Sequence, residues 1–424
     1  MQTYADALMI AIPGFMLLIL VEAIYGHFKG KQTIRSLDTI SSLSSGITNT
    51  IKDSLKLVVV ILSYPVLLSW LGLWEMEATW QAYVLGFIAI DFAGYWSHRL
   101  AHSVNLFWNR HAIHHSSEEF NLPCALRQSI SNLLGIYAFF LIPAALLGVP
   151  AKVITLLAPL HLFLQFWYHT RHIPKLGWLE YLIITPSQHR VHHAINPIYL
   201  DKNLGQIFSI WDRLFGTFQE ELEEEPPVYG ITRPMATWNP FKINFKHIWL
   251  LARDAWRTKS WKDKFRIWFM PTGWRPEDVS EAYPVYKIED VHQFDKYAEG
   301  EDSRPLVVWS WFQLVATTFL LIFMLSQFSK IGETGLLICG GIIALGIYGY
   351  TALMDRDPAA VWVEAIRGLI GVSWIVYSGD WFGMAGLWEP GLWLVGGYFV
   401  LSALGAIWLS QQESVPAPEA VQSS

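Results

Sequence analysis

The residues in this chain best suited to chemistry are histidines in three clusters. They read His98-Arg-Leu-Ala-His102, His111-Ala-Ile-His114-His115 and His189-Arg-Val-His192-His193. Together they take up eight of the chain's 14 histidines. The first has the spacing H-x-x-x-H and the other two H-x-x-H-H. Residues three and four apart share one face of a helix, so each cluster can aim its imidazoles at one point. Imidazole is a ligand for iron, zinc, copper and nickel. A lone histidine beside an apolar face is usually a packed, hydrogen-bonded residue, whereas eight at ligand spacing point to metal. A structural zinc takes about four ligands and a catalytic one about three, so two ions sharing the set fit better than one.

Composition says where such a site lies. The chain has 424 residues, 53% of them hydrophobic and 16% charged, with a mean hydropathy of +0.30. That exceeds an ordinary soluble domain. Twenty-two tryptophans and 17 tyrosines suit aromatic belts at a bilayer surface. A net charge of −6 argues against a nucleic-acid partner. Cys124 and Cys339 stand in no motif and offer neither a disulfide framework nor a thiolate metal site. The first apolar run lacks a cationic lead and a small-residue cleavage signal, and reads as a retained anchor.

Apolar runs of about 20 residues fall near 5–26, 54–74, 80–97, 130–148, 151–169, 305–327, 332–352, 358–382 and 390–410. The expected architecture is an all-α integral membrane protein of about nine transmembrane helices, with surface helices and a cytosolic histidine-rich di-metal site. Residues 1–79 form N-terminal membrane helices and 80–218 the metal core. Residues 219–304 form a cytosolic or interfacial cap, 305–410 C-terminal membrane helices, and 411–424 a disordered Pro/Ala/Ser/Glu tail. Arginines and lysines after the first run and in the histidine loops place the N-terminus outside and all three clusters on the cytosolic face.

Several further residues stand out. Asp91, Tyr95, His98 and His102 make one stripe along the third run. Asp91 either orients an imidazole from behind or anchors neighbouring helices. His169 sits where the fifth run ends, as His98 does for the third, and is a ninth candidate ligand. His161 and His172 read instead as hydrogen-bonded interfacial histidines. The patch Glu220, Glu221 and Glu223 to Glu225 reads as solvated loop. Tryptophans interleaved with Arg and Lys over 253–275 fit helices lying on a membrane surface, or a lid over the metals. Glu364 and Arg367, an ionisable pair in a membrane run, read as interfacial anchors.

The cluster order across membrane helices resembles the fatty acid hydroxylase / sterol desaturase superfamily of integral-membrane di-iron enzymes. The resemblance continues through His114-His-Ser-Ser-Glu118-Glu-Phe-Asn121 to Arg127-Gln-Ser129, Phe166-Trp-Tyr-His169-Thr, Thr185-Pro-Ser-Gln-His189, Asn196-Pro197, Asp201-Lys-Asn203, Trp211-Asp-Arg-Leu-Phe-Gly-Thr-Phe218 and Pro227-Val-Tyr-Gly230. These segments, over about 80–280, are similar to the tetrahydrobiopterin-dependent glyceryl-ether monooxygenases of that superfamily. The resemblance implies iron at His98, His102, His111, His114, His115, His189, His192 and His193, and a catalytic role for Glu118. It makes Asn121 and Arg127 candidate contacts to substrate or cofactor. It also implies two iron ions, O2, a reductant that is a pterin or a redox protein, and a lipid substrate drawn from the bilayer. The reaction implied is oxygen insertion beside an ether oxygen.

Two other classes share parts of the pattern. A sterol or fatty-acyl hydroxylase or desaturase has the same metal core. A histidine-rich metal transporter would place its site near the bilayer midplane on broken helices, whereas these clusters begin where apolar runs end.

Overall fold

A computed structural model describes residues 2–60, 62–132, 134–135, 137–300 and 303–412. Of the expected tail, residues 413–424 lie outside the described residues. The fold is helical apart from isolated bridges and one two-residue parallel pairing, β1 (Val59–Val60) with β2 (Leu134–Gly135). Helix α1 (Gln2–Phe28) is apolar on all sides and turns Leu17, Leu18, Leu20 and Val21 outward, as a lipid-facing helix does. Its one buried carboxylate, Glu22, accepts hydrogen bonds from Leu122 N (2.8 Å) and Thr170 Oγ1 (2.7 Å). It thus ties α1 to the loops beside the clusters.

Helix α2 (Ser36–Ser54) is Ser/Thr-rich yet buried along most of its length. Its hydroxyls explain how. Ser42 and Ser44 donate back to carbonyls one turn earlier. Ser41 donates to Trp238 O (2.7 Å), Ser45 to Gln128 O (2.9 Å), and Ser44 bonds the hydroxyl of Tyr350 (2.6 Å). The helix is therefore a polar spine packed within the molecule.

The apolar run at 54–74 is not one span. Lys56 takes a left-handed φ of 54° and turns the chain, after which α3 (Tyr64–Leu71) has only eight residues, roughly 12 Å of helix. The run at 130–148 is likewise short pieces, ending in α6 (Ile142–Leu146). Between these, α4 (Trp80–Ser103) carries the first cluster and α5 (Asn105–His115) the second. α7 (Ala151–Phe163) packs beside α4. α8 (Pro186–His192) and α9 (Ile210–Phe215) follow.

The cap holds α10 (Pro240–Arg257), α11 (Trp261–Arg266) and α12 (Glu277–Ala282). One face of α10 covers α5: Asn109 Oδ1 accepts from Ile248 N (2.8 Å), and His247 Nε2 lies 3.0 Å from Asn105 O. Trp249 and Trp256 of α10, Trp261 and Phe265 of α11, and Phe269 beyond it are exposed.

The C-terminal bundle is α13 (Arg304–Ser326), α14 (Phe328–Met354), α15 (Ala359–Ser378), the short α16 (Met384–Leu387) and α17 (Pro390–Gln412). Among the described residues five helices are long and apolar enough to cross a membrane: α1, α13, α14, α15 and α17. Glu364 and Arg367 are not interfacial anchors. They are buried in this bundle and paired at 2.6 Å. Arg367 also donates to the Tyr398 hydroxyl (3.1 Å), which donates to Gln313 Oε1 (2.8 Å). Gly349 makes the room, since a Cβ there would meet Glu364 Oε1 at 2.1 Å.

Candidate metal centre

Four parts of the chain deliver nine imidazoles to one place. α4 brings His98 and His102, and α5 brings His111, His114 and His115. His169 comes from the coil after α7. α8 brings His189 and His192, with His193 just past its end. α8 starts at Thr185-Pro186, the fixed φ of proline suiting a first helical turn. Glu180 holds that start by accepting from Thr185 Oγ1 (3.1 Å) and Ser187 Oγ (2.7 Å).

The imidazoles form two groups. His98, His102, His111, His115 and His192 are one, and His114, His169, His189 and His193 the other. Within each group one nitrogen per residue lies within 4.8 Å of all the rest. All nine candidate ligands read from the sequence are present, and His161 and His172 belong to neither group. His161 Nε2 instead meets Asp91 Oδ1 (2.8 Å), and His172 lies 3.4 Å from Thr33 Oγ1. Asp91 is an anchor: its carboxylate also accepts from Ile207 N, Phe208 N and Trp211 Nε1.

The hydrogen bonds fix which nitrogen is free. His98 Nδ1 lies 2.8 Å from Leu204 O, His192 Nδ1 3.0 Å from Lys202 O, and His169 Nδ1 2.9 Å from Gln165 O. A carbonyl only accepts, so each Nδ1 carries the proton and leaves an Nε2 lone pair pointing inward. His102 Nδ1 lies 3.1 Å from Asp201 Oδ1 in the same way. The segment Asp201–Leu204 is thus a strap that orients three rings of the five-histidine group. Asp201 and Asn203 both adopt positive φ, 56° and 51°, a conformation Asn and Asp tolerate. Asn203 donates to Gln188 O (3.0 Å) and Gln219 O (2.8 Å). Asp212, fully buried, accepts from Leu204 N (2.6 Å), Gly205 N (2.8 Å) and Thr217 Oγ1 (2.7 Å).

The inward nitrogens fit a metal. Nε2 atoms approach at 2.9 Å (His98 to His111), 3.0 Å (His111 to His115) and 2.9 Å (His169 to His189). Two nitrogens bound to one ion at about 2.1 Å and at right angles lie about 3.0 Å apart. Nε2 of His102 and of His192 are buried with no hydrogen-bond partner, which an uncompensated interior rarely permits. Burial first, and neighbouring imidazoles second, push His115, His192 and His193 well below the usual histidine range, and His114 down to about 3. Neutral imidazole is the form that binds metal.

A cavity of about 840 Å³ opens on the centre. His98, His111, His114, His169 and His189 line one part of it, with Arg110, Gln165 and Gln206. Leu8, Ile12, Phe15 and Met16 of α1, Ile47 of α2, and Leu160 and Phe163 of α7 line the rest. The structure does not bring every expected residue to this wall. Glu118 and Asn121 are not among its lining residues. Glu118 Oε2 accepts from Tyr297 N (2.7 Å), and burial pushes its carboxyl up to about 7. Asn121 donates to Thr33 O (2.8 Å), while its side-chain oxygen caps the turn Leu122–Leu126 at Cys124 N. Arg127 does line the cavity, but its guanidinium is committed to Asp38 Oδ2 (2.8 Å), Ser42 Oγ (2.9 Å) and Ser116 Oγ (2.8 Å). The glutamate patch is less solvated than its run of charge suggests, because Glu221 makes a two-point pair with Arg190. Sequence reasoning missed Arg110 and Gln206, and it missed the role of the strap. The only available signal for the strap was the motif Asp201-Lys-Asn203.

A family profile described as fatty acid hydroxylase matches residues 83–217, which contain all nine histidines. The alkylglycerol monooxygenase of Homo sapiens is 33% identical over 374 residues, covering 85% of this chain and 80% of the relative. That of Danio rerio is 36% identical over 368 residues, covering 84% and 79%. An ornithine lipid hydroxylase of Rhizobium tropici is 32% identical over 153 residues, covering 36% of this chain and 46% of the relative. No solved structure matches.

Proposed function

We propose, from the premise that this chain belongs to the alkylglycerol monooxygenase family, that its nine grouped histidines hold two iron ions and that it cleaves glyceryl ethers of the bilayer. The observation that carries the reading is the placing of rings from two all-imidazole groups on the wall of a cavity whose far side is lined by apolar side chains of α1, α2 and α7. When bound, the irons would supply the oxidising power needed to break an unactivated C–H bond. The chain's own part is to hold the lipid and keep water away. Leu8, Ile12, Phe15 and Phe163 form a slot for an alkyl chain. The hydrogen-bonded tautomers at His98, His169 and His192 keep their Nε2 atoms free.

The reaction balances as follows. One atom of O2 enters the C–H bond beside the ether oxygen. The other leaves as water at the expense of two protons and two electrons from a reduced pterin. The hemiacetal then collapses to a fatty aldehyde and a glycerol. In this reading Glu118, Asn121 and Arg127 position the loop after α5 rather than meet the lipid. The histidine face is cytosolic, supported by Lys29, Lys31 and Arg35 after α1 and by the cations of α10 and α11.

Purified protein from iron-replete cells is expected to hold about two irons per chain, as an all-imidazole site of this size requires. Incubated with an alkylglycerol, O2 and tetrahydrobiopterin, it is expected to release fatty aldehyde. Zinc alone, or a hydroxylated sterol or acyl chain with no aldehyde, would replace this reading with another.

A further inference from the structure

The charge on the cavity wall is out of balance. Among the described residues three cations line the cavity: Lys52, Arg110 and Arg127. Arg127 is paired with Asp38 at 2.8 Å. Lys52 is paired with Asp53 at 3.3 Å and donates to Asn49 Oδ1 and Ser129 O. Among the described residues Arg110 has no carboxylate partner, and its guanidinium lies 5.6 Å over the Phe107 ring. Its one hydrogen bond is long, Nη2 to Ser97 O at 3.4 Å, out of five N–H groups it can offer. That bond sets its guanidinium against α4 at Ser97, the residue before His98, on the wall His98 and His111 also line.

The surroundings make that cation conspicuous. Neither histidine group contains a carboxylate. Two divalent ions there would add about four positive charges, against which the protein sets the Asp201 carboxylate, 3.1 Å from His102 Nδ1. A guanidinium beside such a centre, in a cavity walled mainly by apolar groups, favours an anion that joins it there. Guanidinium favours phosphate, which it can grip with two parallel N–H bonds.

We infer that Arg110 is a headgroup-recognition residue, and that the preferred substrate is an anionic ether lipid: an alkylglycerol with phosphate on its glycerol, rather than the neutral diol. The phosphate lies a few bonds from the ether oxygen, so Arg110 beside the histidines and the apolar slot beyond them would hold the two ends of one molecule. The inference rests on the ether-cleavage reading for the identity of the lipid. It does not rest on that reading for the choice of an anion.

The test is equilibrium binding to iron-loaded protein in neutral detergent micelles, comparing an alkylglycerol phosphate with the alkylglycerol of the same chain length. The phosphate lipid is expected to bind at least about tenfold more tightly, as one charge-assisted contact in a partly dehydrated site allows. Arg110→Gln should erase most of that preference and Arg110→Lys should keep part of it. Inorganic phosphate alone should bind far more weakly than the lipid. Equal binding of the two lipids by the unaltered protein overturns the inference. So does a preference that survives in Arg110→Gln, or inorganic phosphate binding as tightly as the lipid. If Arg110→Gln loses iron, Arg110→Lys decides by whether it retains the preference. Aldehyde release is scored separately: a phosphate preference without aldehyde sinks ether cleavage and leaves Arg110 standing, while aldehyde without the preference does the reverse.

Discussion

The two histidine groups are neighbours, built from the same motifs, and held by different physics. In the five-histidine group, His98, His102 and His192 each turn Nδ1 to an acceptor on one strap, Asp201–Leu204. In the four-histidine group, among the described residues, His169 turns Nδ1 to Gln165 O, while His189 Nδ1 is buried without a partner. Rings do more of the holding there. Phe120 stacks on His169 with centroids 5.8 Å apart and lies 5.3 Å from His193, and Tyr168 lies 4.3 Å from His189. Phe120 is itself backed by Tyr229 at 5.2 Å. A hydrogen bond sets ring angle and tautomer together, whereas packing sets position and leaves the tautomer free. The packed group also gives more of itself to the cavity: three of its four rings line the wall, against two of five in the strapped group.

Substitutions can separate the two. The largest effects are expected from the ligands. His192→Ala and His189→Ala should each abolish turnover and lower iron content by about one ion per chain, because each removes a ligand from a different group. Two irons retained in either variant would dissolve the division into two sites. Next comes the strap. Asp212→Ala strips the acceptor from two buried N–H groups, at about 1–3 kcal/mol each. It should weaken metal binding on the order of 10- to 100-fold at the five-histidine group alone. A metal titration that shows both ions weakening together would mean the strap serves the whole centre.

Phe120→Leu should act on the other group and more gently. About 1–3 kcal/mol of stability is at stake for a reshaped buried aromatic, with metal affinity at the strapped group unchanged. Equal metal loss from both groups would contradict the packing account. The smallest effect is a pH slope. Glu118 lies in the loop that carries Phe120, and burial raises its carboxyl from 4.5 to about 7. Between those values the folded state binds more protons than the unfolded. Its contribution is therefore fully present below pH 4.5 and lost as pH rises through about 7. Glu118→Gln should flatten that part of the melting-temperature profile between about pH 5 and pH 8, with both irons retained. If it instead removes turnover while the irons and the melting temperature stay, Glu118 meets the reacting lipid after all.

The legible part of this molecule was the part written in side chains. Histidine spacing on α4, α5 and α8 announced the centre, and His169 was found by its place at the end of an apolar run. The strap was opaque because Lys202 and Leu204 contribute backbone carbonyls, which every residue has. Arg110 was opaque because a cation beside a histidine cluster reads as topology signal rather than as cavity wall. Hydropathy failed differently at each end of the chain. It joined α3 to its flanks as one span, since a turn at Lys56 leaves no mark in an average. It also put Glu364 and Arg367 at an interface, since a buried pair and an exposed one have the same composition.

The spine α2 has a consequence for how the chain is made. Its serines would be poor company for lipid, each unsatisfied hydroxyl being costly there. Their partners come late: Trp238 is 197 residues downstream of Ser41, and Tyr350 is 306 residues downstream of Ser44. During synthesis the cap and α14 must emerge before α2 has these two partners. A chain stopped at residue 304 would carry all nine histidines and still leave that helix without its bundle. The C-terminal third thus completes the packing of a helix beside a centre to which it contributes no candidate ligand.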